Sequence, residues 1–331
     1  MKMMKTIAIA GATGAVGRQM LECLKEQNVE GNVKLLASAR SAGKEIDGHI
    51  VEELNKDSFK DVDYVLGACS NEVTKEWMPW AKEAGCVVVD NSSAFRLDKD
   101  VPLVVPEINA EDIKNHKGWI ANPNCSTIIA LMALHDMDDL YHIEDVICTT
   151  FQAVSGAGVK GISDLERQLK DPDAAPEAFA YPIAFNVIPQ IGGFDENGIT
   201  SEEWKMQNEG RKILHSPELN VNCTCVRVPV WRSHSESITV RTAKPVDLEE
   251  LKEKLRHSAG VVLQDDPQNN VYPMPIDTTN QDNVFVGRLR YDPADPSHKT
   301  VSLFCCGDQI RKGAASNAVQ ILARLIEDEK Q

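Results

Sequence analysis

Positive charge is scarce in this chain: 35 lysines and arginines face 50 aspartates and glutamates across 331 residues, a formal net charge of −15. Nucleic acids and anionic membranes both select a basic surface, so neither is expected as a partner. Long apolar runs are missing too. The opening MKMMKTIAIAGATGAVG reaches its glycines after a short apolar stretch, too soon for a signal peptide or for the ~20 residues that cross a bilayer. C-x-x-C motifs are absent: the nine cysteines are odd in number and scattered, with no metal-ligand spacing. That pattern argues against a disulfide framework or a metal site and points to free thiols in a reducing cytoplasm.

What is present is an ordinary globular composition, 42% hydrophobic and 26% charged, over a length that suggests two domains. KTIAIAGATGAVG reads as a buried strand, Thr6 to Ala10, a glycine turn, and a helix to about Gln27. NVKLLASAR, DVDYVLGACS and GCVVVDNSS are further strands. The helical NEVTKEWMPWAKEA precedes the last of them, and Pro79 is expected to kink or interrupt it. Apolar runs alternating with helices predict βαβ units and a doubly wound, Rossmann-type parallel sheet. After residue 145 the strands lengthen and alternate, as in DVICTTFQAVSGAG, VNCTCVRVPV, SESITVRTA, NVFVGRLRYD and TVSLFCCGDQ. That change predicts an α+β domain with a mostly antiparallel sheet. Residues 171–198, rich in Pro, Gly and Asp, are expected to form an excursion. The predicted division is 1–124 with a returning C-terminal helix at 312–331, and 125–311.

The glycines of GATGAVG, at 11, 14 and 17, follow a strand and open a helix. In that setting a tight turn lets backbone N–H groups and the positive end of the helix approach a pyrophosphate. An NAD site needs an acid at the end of the second strand, about 20 residues on. Here the segment is ASARSAGK, with Ser38, Arg40, Ser41 and Lys44 and no acid before Glu45. A basic, hydroxyl-rich loop suits a 2′-phosphate, so NADP is favoured; the plain alternative is that Arg40 is a solvated loop charge.

NPNCST, 122–127, stands where a strand should end and the helix IIALMALHDM begin. Cys125 there lies at the positive end of a helix, with Ser126 or Thr127 as cap or first-turn residue, a placement that favours the thiolate. The other eight cysteines lie in a helix (Cys23) or in or beside apolar strands, where a core role is the simpler reading. His234, just past the apolar strand of CVRVPVWRSHSES, is the candidate proton shuttle. Arg227 lies seven residues earlier on the same predicted strand, which puts the two on opposite faces unless Pro229 or the strand end breaks the alternation.

GATGAVG, ASARSAGK, NSSAFR, NPNCST, QAVSGAG, EEWKMQNEGRKIL, RVPVWRSHSES and DQIRKGAA together resemble the aspartate-semialdehyde dehydrogenase family along almost the whole chain. The resemblance implies that Cys125 is the nucleophile, His234 the acid/base and Gln152 the residue orienting the acyl intermediate. It implies that Arg96, Asn124 and Lys212 hold the phosphate of L-aspartyl 4-phosphate, Arg227 its α-carboxylate and Glu209 its ammonium. NADP would lie on Gly11, Thr13, Gly14, Ala15, Val16 and Gly17, with Ser38, Arg40 and Ser41 at its 2′-phosphate. Its nicotinamide end would lie near Ser155 and Gly156, with Gln309 close by. The second domain would be the catalytic and dimerisation domain of a homodimer or homotetramer. The implied reaction is NADPH-dependent reduction of the acyl phosphate to aspartate 4-semialdehyde, on the route to lysine, methionine and threonine. Alternatives are another acyl-phosphate reductase, such as N-acetyl-glutamyl-phosphate reductase, and a non-catalytic nucleotide-binding paralogue. Gly210 and Ser316 are smaller than the family leads one to expect, and Gln309 stands where relatives often carry asparagine.

Overall fold

The computed structural model describes residues 4–329, so the ends of the predicted spans at residues 1 and 331 lie outside the described residues. The chain divides into two compact units, 1–124 with 314–331, and 125–313.

The first unit contains β1 (Thr6–Ala10), α1 (Ala15–Glu26), β2 (Asn32–Ala37), β3 (Glu45–Ile46), β4 (His49–Glu53), β5 (Tyr64–Gly67), α2 (Asn71–Glu83), β6 (Val87–Asp90), α3 (Pro106–Asn109) and β7 (Trp119–Ala121). Its sheet runs β3-β4-β2-β1-β5-β6-β7, parallel throughout except for the short β3–β4 hairpin at one edge. Alternation along β1 explains the double winding. Ile7 and Ile9 pack towards α1 and the C-terminal helix Ser316–Asp328, while Ala8 and Ala10 face a second core built on Phe59, Trp77 and Trp119. Pro79 does not interrupt α2. It and Lys75, whose carbonyl loses its N–H partner, both sit on the exposed face, where water can serve instead.

The second unit holds α4 (Cys125–Tyr141), β8 (Ile143–Gln152), α5 (Gly158–Lys170), α6 (Ser201–Ile213), β9 (Asn220–Arg227), β10 (His234–Thr242), α7 (Leu248–Arg256), β11 (Val261–Leu263), α8 (Pro275–Thr278), β12 (Val284–Tyr291) and β13 (Thr300–Gly307). Its sheet order is β11-β12-β13-β10-β8-β9. The three central pairings are antiparallel, and the outer pairs β8–β9 and β11–β12 are parallel. α4 is buried continuously from Ser126 to Met137, the signature of a helix apolar all round, and it packs on β8, β10, β12 and β13. The excursion expected at 171–198 contains no helix or extended strand.

Candidate active site

Cys125 is the first residue of α4, with Ser126 and Thr127 in its first turn, so the thiol sits at the positive end of a long buried helix. Its Sγ lies 3.5 Å from Nε2 of His234. A wide π turn, Arg311–Ala315, backs it: a Cβ added to Gly313 would stand 2.9 Å from the Cβ of Cys125. All nine cysteines are free. Burial pushes Cys69 and Cys86 up to about 11 and Cys306 to about 12, so these remain thiols at neutral pH.

His234 opens β10 and has no exposed surface. The Ala153 backbone N–H donates to its Nδ1 at 3.1 Å. The neutral ring must therefore carry its proton on Nε2, the atom facing the thiol. Burial first, then the Arg227 charge, pulls the ring down to about 3, against an upward pull from Glu202. Gln152 is held at both ends. Its Oε1 accepts from Thr150 Oγ1 at 3.0 Å, and its Nε2 donates to Glu202 Oε1 at 3.2 Å while lying 3.4 Å from His234 Nε2.

Arg227 ends β9, directly paired with Gln152, and its Nη1 donates to the Ala153 carbonyl at 2.7 Å. Arg227 and His234 thus belong to two strands rather than one, which removes the alternation conflict. Between them the chain reverses through Ser233, whose φ of 75° is rare for a residue with a side chain. The Ser233 N–H donates to Gln309 Oε1, and Gln309 Nε2 reaches Ser155 Oγ, so Gln309 braces the 155 loop against the approach to His234. Gly156 fills the remaining space: a Cβ there would come within 2.8 Å of Arg227 Nη1 and 3.2 Å of His234 Cε1.

A capping box of Thr200 and Glu203 starts α6. That helix buries Glu209 and carries Lys212 one turn later. It also buries Glu202, whose contact with Gln152 sequence reasoning missed. The signal available was spacing, since Glu202 and Glu209 are seven residues apart and share a helix face. Gly210 is not demanded by space, because a Cβ there would make ordinary contact with Leu219 at 3.5 Å.

In the first unit, Gly11 turns at φ 89°, and a Cβ on it would lie 2.5 Å from the Ala68 carbonyl oxygen. A Cβ on Gly17 would lie 2.4 Å from the Gly11 oxygen, so this turn admits only glycine at both places. Gly14, at the cap of α1, has no side chain to occupy the helix amides. Thr13 lies in that turn, and Ala15 and Val16 open α1. Ser38 and Arg40 are exposed beyond β2, and Ser41 is buried beside them. No carboxylate stands in this stretch, so the residues present fit a 2′-phosphorylated dinucleotide. Arg96 is buried, donating to the Asn91 carbonyl at 2.8 Å, and Asn124 is buried at the end of the unit. Ser316 is tucked against Cys23, its Oγ 3.3 Å from the thiol sulfur, a place where a larger side chain would crowd α1.

A family model described as the semialdehyde dehydrogenase NAD binding domain matches residues 6–116, and one described as its dimerisation domain matches 131–312. An Aquifex aeolicus aspartate-semialdehyde dehydrogenase is 48% identical, over 97% of this chain and 98% of its own length. The chain belongs to the aspartate-semialdehyde dehydrogenase family. The Bacillus subtilis enzyme of that name is 43% identical over 96% of both chains. A Vibrio cholerae aspartate semialdehyde dehydrogenase II, solved in complex with ASA, superposes with TM-score 0.93 at 42% identity, covering 99% of each chain. A Candida albicans aspartate semialdehyde dehydrogenase solved with NADP superposes at 0.74 with 26% identity, covering 98% of each. The chain is thus an oxidoreductase whose first unit is a nicotinamide-dinucleotide-binding domain. Among the described residues no helix is long and apolar enough to cross a membrane, and no group of His, Cys, Asp or Glu could hold a metal ion.

Two outcomes follow from this geometry. Gly313→Ala should displace the thiol and lower kcat/KM by about 100-fold with little change in thermal midpoint; unchanged turnover would refute the close packing. His234 ring resonances, assigned against His234→Asn, should not titrate between pH 5 and 8. In the unfolded chain the ring binds a proton below about 6.5. Its contribution to stability is therefore lost as pH falls from there towards 3. A midpoint near 6.5 in the folded protein would contradict the buried neutral ring.

Proposed function

We propose that the chain carries out the NADP-dependent, phosphorylating interconversion of L-aspartyl 4-phosphate and L-aspartate 4-semialdehyde through a thioester on Cys125. The observation that carries this is the 3.5 Å approach of the Cys125 thiol to a neutral, buried histidine beside a buried arginine. In the reductive direction the Cys125 thiolate attacks the acyl carbon, the carbon–sulfur bond forms, and the carbon–oxygen bond to phosphate breaks. The first-turn N–H groups of α4 and the Nε2–H of His234 stabilise the negative charge that develops on the acyl oxygen. NADPH, when bound, supplies the hydride that takes the thioester to the aldehyde level. When the thioester carbon leaves sulfur, Cys125 returns as thiolate, and His234 Nε2–H is the donor facing it. Cysteine suits both halves, since its acyl derivative forms and is cleaved readily.

Arg227 offers the α-carboxylate a planar fork of N–H groups, and Glu209 offers the ammonium a buried acid. Glu209 favours a free amine over an acylated one, and so favours the aspartyl substrate over an N-acetyl-glutamyl one. Arg96, Asn124 and Lys212 would hold the phosphate, and Gln152, braced by Thr150 and Glu202, would orient the acyl group. The Gly11–Gly17 turn with Ser38, Arg40 and Ser41 would hold NADP, with Ser155 and Gly156 towards its nicotinamide and Gln309 behind them. A homodimer would cover the second face of the β8–β13 sheet, where Ile147 is exposed and the rings of Phe151 and Phe304 lie tilted with their centres 6.3 Å apart. Nine free thiols suit the cytoplasm, and the substrate places the enzyme on the route to lysine, methionine and threonine.

Absorbance at the reduced-cofactor band tests this directly. With aspartate semialdehyde, NADP reduction should require inorganic phosphate and vanish in Cys125→Ala; phosphate-independent turnover, or turnover in the variant, would overturn the thioester route. Arg40→Ala should raise KM for NADP about tenfold and leave the weaker use of NAD unchanged; an equal effect on both cofactors would remove Arg40 from the 2′-phosphate.

A further inference from the structure

The stretch from Asp171 to Val187 has no regular secondary structure, yet it is tied down by side chains that are costly to bury. Asp164 of α5, with no exposed surface, accepts the Glu177 N–H at 2.9 Å on each carboxylate oxygen and the Ala178 N–H at 2.7 Å. Gln168, one turn later and equally buried, accepts from the N–H groups of Ile183 at 2.7 Å and Ala184 at 3.1 Å. The stretch then returns to β9 through a two-bond bridge. Ile188 N–H donates to the Arg227 carbonyl at 2.9 Å, and Arg227 N–H donates to the Ile188 carbonyl at 2.8 Å. A buried carboxylate is tolerable only when satisfied, so Asp164 needs the Glu177 and Ala178 N–H groups, and Gln168 adds a second anchor through its amide oxygen.

Phe179 follows the pinned Ala178 and joins a small core of Val154, Leu165, Ile183 and Ile188. Its ring centre lies 5.7 Å from the guanidinium carbon of Arg227, within the reach of a cation–π contact. Gly161 sets the other side: a Cβ there would be 3.2 Å from Phe179 Cζ and 2.2 Å from the Val154 carbonyl oxygen. The guanidinium is therefore fixed by an aromatic ring on one hand and by the Ala153 carbonyl on the other.

We propose that Phe179 is a positioning residue for substrate binding: the pinned loop presents its ring to Arg227 and holds the guanidinium plane where it can grip a carboxylate with two parallel hydrogen bonds. The proposal rests on the reading of Arg227 as the partner of the substrate's α-carboxylate. A planar fork gives bidentate recognition only when its plane is set, so freeing it should weaken binding of the carboxylate without touching the thiol chemistry.

Steady-state kinetics of the full chain with aspartate semialdehyde, phosphate and NADP test this. Phe179→Ala should raise KM for the semialdehyde five- to thirty-fold, with kcat within about twofold and KM for NADP unchanged. Phe179→Leu, which fills the space without a π face, should stay impaired, and Phe179→Tyr should recover. In an Arg227→Lys background Phe179→Ala should add little. Thermal melts accompany each variant, and Phe179→Leu carries the comparison should Phe179→Ala fail to fold. A wild-type KM in Phe179→Leu would overturn the proposal and leave packing alone. An Arg227→Lys variant with normal KM for the semialdehyde would instead remove the reading of Arg227 on which the proposal stands.

Discussion

The backbone of Ala153 is the point on which this site turns. Its N–H holds Nδ1 of His234 and its carbonyl holds Nη1 of Arg227, so one residue fixes both the imidazole and the guanidinium. It can do so because it stands just past the end of β8, between the ends of β9 and β10 in the sheet. Gly156 then closes the space between the two side chains, leaving no room for a methyl group.

That arrangement has an electrostatic consequence. A histidine with an amide donor on Nδ1, no solvent and an arginine nearby gains nothing from a second proton, and its depressed pKa follows from those neighbours. Its single proton faces sulfur. The thiol for its part stands at the start of a helix whose length is buried, so its position is set by the core rather than by a loop. Two rows of packing meet at Cys125, the helix behind it and Gly313 beside it.

Much of this was legible from residue order. The β1–glycine–α1 run declares itself because only glycine permits the close turn, and Cys125 stands out because a strand-breaking NPN precedes a run of helix formers. The β3–β4 hairpin was not legible, since its two strands are short and mix acids with apolar residues without a clean alternation. Nor was α5, whose two glycines, Gly158 and Gly161, disguise a helix that needs one of them for contact with Val154 and Phe179. The relation of Arg227 to His234 depended on Ser233 adopting a left-handed conformation, which no propensity suggests. Glu202 is one of two acids in the first turn of α6, and its contact with Gln152 depends on which way that helix faces, a tertiary fact.

The central claim is that Cys125 is acylated in turnover. Intact-mass and peptide mass spectrometry after mixing the enzyme with L-aspartyl 4-phosphate, reduced cofactor withheld, reads this directly. A β-aspartyl adduct confined to the peptide bearing Cys125, and discharged on adding NADPH, is the result this account predicts. Full turnover with no adduct on that peptide would contradict it.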